Sequence, residues 1–126
     1  MALRRPGGGE LVIAVVGLVL AVVLGSLGTT KVLAVPAMRA AAAHARLGVN
    51  AYRLIGCAEV MAAVGLVAGR WWSPAGAAAA VGTVLLMVGA VSVHLSNRDS
   101  AARLVPAIGT AALAVGYLVL LPAATS

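Results

Sequence analysis

Residues 11–30 read LVIAVVGLVLAVVLGSLGTT, twenty positions without a charge. Wound as a helix at about 1.5 Å per residue, such a run is about 30 Å long, which matches the hydrocarbon core of a bilayer. The same feature recurs on either side of the chain's centre. Residues 73–96 and 104–122 are free of Asp, Glu, Lys and Arg, and residues 51–69 make a fourth apolar run with Glu59 inside it. With 63% apolar and 10% charged residues, and a mean hydropathy of +1.09, the chain lies far outside the composition of a soluble domain.

The expected fold is therefore all-α: a polytopic membrane protein built as a four-transmembrane-helix bundle. The helices fall at about residues 11–30, 51–69, 74–96 and 102–122, within one membrane domain spanning 1–126. Between the first two, Pro36 stands at a possible first helical position, and residues 36–47 form a short, weakly amphipathic segment suited to the membrane surface. Arg4 and Arg5 ahead of the first run resemble the start of a secretory signal. The run is longer than a signal's apolar core and no small-residue cleavage site precedes Lys31, so it is read as a helix. Gly7, Gly8 and Gly9 are read as part of a flexible head. Glycines at 17, 25, 28, 56, 65, 82, 89, 109 and 116 are read as points of close helix approach. Trp71 and Trp72 suit the headgroup layer, with Pro74 opening the next helix. The chain is expected to be multi-pass in a bacterial plasma membrane.

The net charge of +6 does not imply a nucleic-acid partner, because its basic residues are scattered over the ends and connections of the apolar runs. They set topology and meet lipid headgroups. Arg4, Arg5 and Arg70 share one side with the termini, against Lys31, Arg39, Arg46, Arg53, Arg98 and Arg103 on the other, which places the termini outside. If Lys31 and Arg53 point into the bundle, the bias shrinks. The single cysteine, Cys57, excludes an intramolecular disulfide and a Cys-x-x-Cys pair, and is read as a small buried side chain.

Glu59 is the leading functional candidate. A carboxylate at bilayer depth costs about 2.5–3.5 kcal/mol on insertion scales, so one that is present faces a partner, a cavity or a substrate. Tyr52, Gly56, Glu59 and Ala63 recur at helical spacing on one stripe, and Thr83, Met87, Ala90 and His94 form a comparable stripe on the following helix. Counting from the turn between them, His94 is about 10 Å higher than Glu59 and closer to the height of Tyr52 and Arg53. Lys31, Arg53, His94 and Asp99 fall near the same membrane boundary. The expected site has Glu59, His94 and Tyr52 as its acid/base groups and Lys31, Arg53 and Asp99 as ligand-binding groups, around a cavity opening toward the segment that carries Arg39 and Arg46. The simpler alternatives are snorkelling for Lys31 and Arg53, a backbone-bonded interfacial role for His94, and a plain polar loop position for His44. Two histidines in different segments, one cysteine and three acids make no metal-site spacing.

In order along the chain stand Gly28-x-x-Lys31, Leu47-Gly48, Arg53-x-x-Gly56-x-x-Glu59, Gly65-Leu66, Met87-Val88-Gly89-Ala90, His94 and Arg98-Asp99. This succession resembles the DoxX-like family of small four-helix membrane proteins over nearly the whole chain. The resemblance implies membrane redox chemistry at the quinone pool, since similar proteins include a subunit associated with thiosulfate to quinone electron transfer and components of membrane oxidoreductase complexes. With no thiol pair, direct thiosulfate oxidation is not expected of this chain. The expectation is a bundle that binds a quinone or another lipophilic molecule and supports redox chemistry, in contact with the lipid bilayer and either a redox partner protein or further copies of itself. No metal or nucleotide cofactor is expected. The alternative is a self-contained enzyme that uses Glu59 and His94 for cofactor-independent acid/base chemistry, such as isomerisation or epoxide opening, on a lipophilic substrate.

Overall fold

The computed structural model describes residues 7–125, with side-chain environments for residues 7–122. It is all-helical: α1 (Gly8–Val32), α2 (Pro36–His44), α3 (Val49–Ala68), α4 (Ser73–Ser96) and α5 (Ala101–Thr125). Four of these, α1, α3, α4 and α5, are long and apolar enough to cross a membrane, as the four apolar runs require. Around the ring α1 packs on α3, α3 on α4, α4 on α5 and α5 on α1, while the short α2 lies against α1 and α3.

The first helix begins earlier than composition suggests. Gly7 N–H donates to Glu10 Oε2 at 3.2 Å, and the carboxylate sits in the first turn, where the helix dipole favours it. Gly8 and Gly9 therefore belong to α1 rather than to a flexible head. Arg4 and Arg5 lie outside the described residues.

Two backbones meet where α1 crosses α3. A Cβ on Gly28 would stand 2.7 Å from the Gly56 carbonyl oxygen, and a Cβ on Gly56 would stand 2.7 Å from both the Gly28 carbonyl oxygen and Lys31 Cβ. Only glycine at both positions permits this approach, which supplies the close packing that membrane helices need in place of a hydrophobic driving force. Gly65 similarly admits Ala79 of α4, and the buried Tyr117 of α5 lays its ring on Gly17 and its hydroxyl against Gly69 and Gly76. The glycines at 82, 89, 109 and 116 behave otherwise. A Cβ there would meet nothing within 4 Å among the described residues, so the packing role expected of them is not seen there.

Three helices end in the same way. Ala34, Arg46 and Arg98 take positive φ values of 51°, 59° and 55° just past α1, α2 and α4. The N–H groups of Val35, Leu47 and Asp99 then reach back to the carbonyls of Thr30, Ala42 and His94, closing each helix with the six-to-one bond of a Schellman turn. Cys57, expected to be buried, is exposed, because it lies on the lipid-facing side of α3 and away from the stripe of Gly56 and Glu59.

The Gly28–Gly56 crossing generates a direct test. Gly56→Ala is expected to lower unfolding stability in detergent by about 1–3 kcal/mol through overpacking. Gly89→Ala, with nothing to strike, should leave it unchanged or raise it by about 0.5–1 kcal/mol. Equal stabilities for the two variants would contradict the crossing.

Candidate functional site

The crossing determines where Lys31 points. With its Cβ against Gly56, the lysine is one turn from Glu59 on the facing helix, and its Nζ donates to Glu59 Oε1 at 2.6 Å. Both side chains are largely covered, at 11% and 3% exposure. The ammonium also lies 5.3 Å from the centre of the Tyr52 ring, within reach of its negative face. Glu59 Oε2 is buried and has no hydrogen-bond partner among the described residues. The carboxylate is thus half satisfied, in an environment where an unsatisfied polar atom is costly.

This pair borders a cavity of about 920 Å³ between α3 and α4. Small residues on the two helices keep it wide, among them Ala62, Gly65, Ala79, Gly82 and Gly89, while Met61 and Leu85 line it and are themselves exposed, so it opens sideways toward lipid. The packing of Gly65 on Ala79 sets the register of the antiparallel helices. Six residues up α3 from that contact, Glu59 is level with about Leu85, and Tyr52 with about Ser92. His94 then stands about 14 Å above Glu59 and near the height of Tyr52. The polar groups occupy the upper half of the cavity as a ladder rather than a single cluster.

At the upper end, His44, His94 and Arg103 also line the cavity, and α2 covers it through Ala41 and Ala45. Asp99 holds this end together. The Schellman turn that closes α4 folds Asp99 back, so that His94 Nδ1 donates to Asp99 Oδ2 at 2.7 Å and His44 Nε2 donates to Asp99 Oδ1 at 2.8 Å. An ionised carboxylate only accepts, so His94 carries a proton on Nδ1, and Nε2 is the ring nitrogen that Asp99 does not engage. Asn97 Nδ2 adds a bond to the His44 carbonyl at 3.1 Å, which ties α2 to the turn between α4 and α5. The hydrogen bond from His94 holds the Asp99 carboxyl below its ordinary pKa, against the opposing effect of desolvation and with further help from His44 and Arg103.

Of the residues singled out from sequence, Lys31, Tyr52, Glu59 and His94 border one cavity. Asp99 stands behind it as the anchor of both histidines. Arg53 is not among the lining residues, and its Nε is buried without a partner among the described residues. His44 and Arg103 were not singled out. His44 is no plain loop residue, since it ends α2 and bonds Asp99, but no local pattern links positions 55 apart. Among the described residues no three His, Cys, Asp or Glu side chains gather in a way that could hold a metal ion.

Four spanning helices, a roofing fifth and a half-satisfied buried ion pair beside a lateral cavity define a multi-pass integral membrane protein with an intramembrane polar site. The chain belongs to the DoxX-like family, whose model matches residues 14–117. No curated protein and no solved structure gives a match.

The Asp99 anchor carries a pH signature. A carboxyl whose pKa is lowered by folding adds stability above its unfolded value of about 3.9, and that contribution is lost as the pH falls through the lowered folded value. Acidification through this range is expected to increase hydrogen exchange in α2 and the turn after α4. Asp99→Asn should remove that step while exposing α2 at neutral pH. An unchanged acid step in the Asn variant would show that other carboxyls hold the roof.

Proposed function

We propose that the chain binds a lipophilic molecule of the quinone class in the cavity between α3 and α4 and thereby supports redox chemistry in the membrane. The observation that carries the reading is the buried Glu59 carboxylate, with one oxygen on Lys31 and the other without a partner among the described residues, on the wall of a mostly apolar cavity open to lipid. Cavities of this kind, mostly apolar with a few convergent polar groups, are the usual form of small-molecule sites.

The donor and acceptor set suits a ring that carries oxygens. Lys31 has two further N–H groups beyond the one given to Glu59, and Tyr52 offers a hydroxyl, so carbonyl oxygens can be met by donors. Glu59 Oε2, without a partner among the described residues, would accept from a hydroxyl on the reduced form once a small shift of the wall uncovers it. A bound quinone would supply the two-electron chemistry, with electrons from a partner protein. This chain's own part is to orient the ring, keep water away from it and hold protons at the Glu59 carboxylate and His94 Nε2. The resemblance of the sequence to quinone-linked membrane oxidoreductase components favours the same reading.

The His94–Asp99 bond favours a second reading, acid/base catalysis on a lipophilic substrate. A carboxylate that fixes the tautomer of a histidine bordering a cavity is an arrangement suited to proton transfer. The two readings share the site and differ in whether an electron acceptor is consumed.

Purified protein in nanodiscs, titrated with a tailless benzoquinone, is expected to bind saturably. Glu59→Gln should weaken binding of the corresponding hydroquinone by about tenfold or more, the range of one lost hydrogen bond to a charged group, while the variant remains inserted and folded. Equal hydroquinone affinity in the two proteins would reduce Glu59 to a packing role.

A further inference from the structure

Gly82 stands on the cavity wall without being required by the fold, since a Cβ there meets nothing within 4 Å. It lies about one turn below the level of Glu59, on the side away from Lys31 and His94. From there down to Ala75, a further drop of about 10 Å, the lining residues are apolar and small: Ala62, Gly65, Ala78 and Ala79. The cavity is thus divided. Its upper half bears every polar side chain on the wall, and its lower half bears none.

Glu59 is near the middle of α3, with ten residues of the helix before it and nine after it. A polar group that reaches Glu59 is therefore already close to the centre of the bilayer, and anything attached beyond it enters the opposite leaflet. The acyl chains of a phospholipid end near the midplane and come in pairs. The lower half is a single groove between two helices whose floor is closed by the Gly65–Ala79 contact.

We infer that the occupant carries one long, narrow chain, of isoprenoid or similar single-chain type, which continues past Glu59 through the lower groove into the opposite leaflet, and that Gly82 is the residue that admits it. The inference rests on the quinone-class reading of the upper half and adds the chain and its path. The half-satisfied Glu59 positions the head, and the side-chain-free surface at Gly82 lets the chain pass directly beneath it. Within a bilayer the chain gains little by leaving lipid for an equally apolar groove, so its contribution is to selectivity through fit rather than to raw affinity.

The distinguishing variant is Gly82→Leu, which fills the groove just below the head and has open space to occupy. Binding in nanodiscs would be measured with two probes, a tailless benzoquinone and the same head with a long isoprenoid tail. The leucine is expected to weaken the tailed probe by tenfold or more and to leave the tailless probe within about twofold of the parent protein. Ala78→Leu, about 6 Å further down, should spare a tail of one isoprene unit and impair the long one, which keeps the test decisive if Gly82→Leu does not fold. Equal effects on both probes, or no effect on either, would overturn the inference, as would a change of oligomeric state in Gly82→Leu without a change in binding. Failure of the parent protein to bind even the tailless head would instead strike the quinone-class reading itself, and the chain path would fall with it.

Discussion

The organisation of this protein depends on the contact between two glycines. Because neither Gly28 nor Gly56 has a side chain, the backbones of α1 and α3 touch, and Lys31 is carried to hydrogen-bond distance of Glu59. A methyl group at either position would separate the helices and leave a carboxylate and an ammonium facing hydrocarbon. The ion pair and the crossing are thus mutually dependent. The crossing makes the pair short, and the pair makes the charge at bilayer depth tolerable.

From this contact the remaining features follow in sequence. Lys31 is one residue from the end of α1, yet it is level with the interior of α3, so α1 stops below the membrane boundary and α2 covers its end. The roof needs a fastening, which Asp99 supplies by holding His44 of α2 and His94 of α4 on its two oxygens. Beneath the roof, α3 and α4 approach closely through small residues at Gly65–Ala79 and Gly69–Gly76, and the space between the helices opens to lipid beside Glu59. A ligand of the proposed kind, arriving from the bilayer, would meet an apolar wall first and the polar ladder afterwards.

The spans were legible from sequence because bilayer thickness converts directly into a length of uncharged chain, as at residues 11–30. Glu59 was legible for the same reason, as a violation of that rule, and Tyr52 followed from helical spacing. Pairing was harder. Lys31 and Glu59 are 28 positions apart, and only the geometry of the Gly28–Gly56 crossing distinguishes a paired lysine from one that reaches for headgroups. The role of His44 depends on a contact across 55 positions between two short turns, which no periodicity announces. Arg53 was grouped with the site by height along the helix, but height does not specify the face, and its side chain is not part of the cavity wall. Cys57 went wrong by the opposite route: its residue type suggested burial, whereas its place one step round from Gly56 faces lipid.

If Lys31 and Glu59 act as one unit, stability and the proposed binding both depend on the pair. A double-mutant cycle on Lys31→Met and Glu59→Gln, read by unfolding in detergent and by hydroquinone binding, tests it most directly. Lys31→Met alone is expected to cost about 3–5 kcal/mol because it strands a buried carboxylate. Glu59→Gln alone should cost less, because a freed lysine can reach the boundary. The double variant should recover to within about 1 kcal/mol of the parent, yet remain unable to bind. Additive losses of stability, or binding that survives in the double variant, would contradict it.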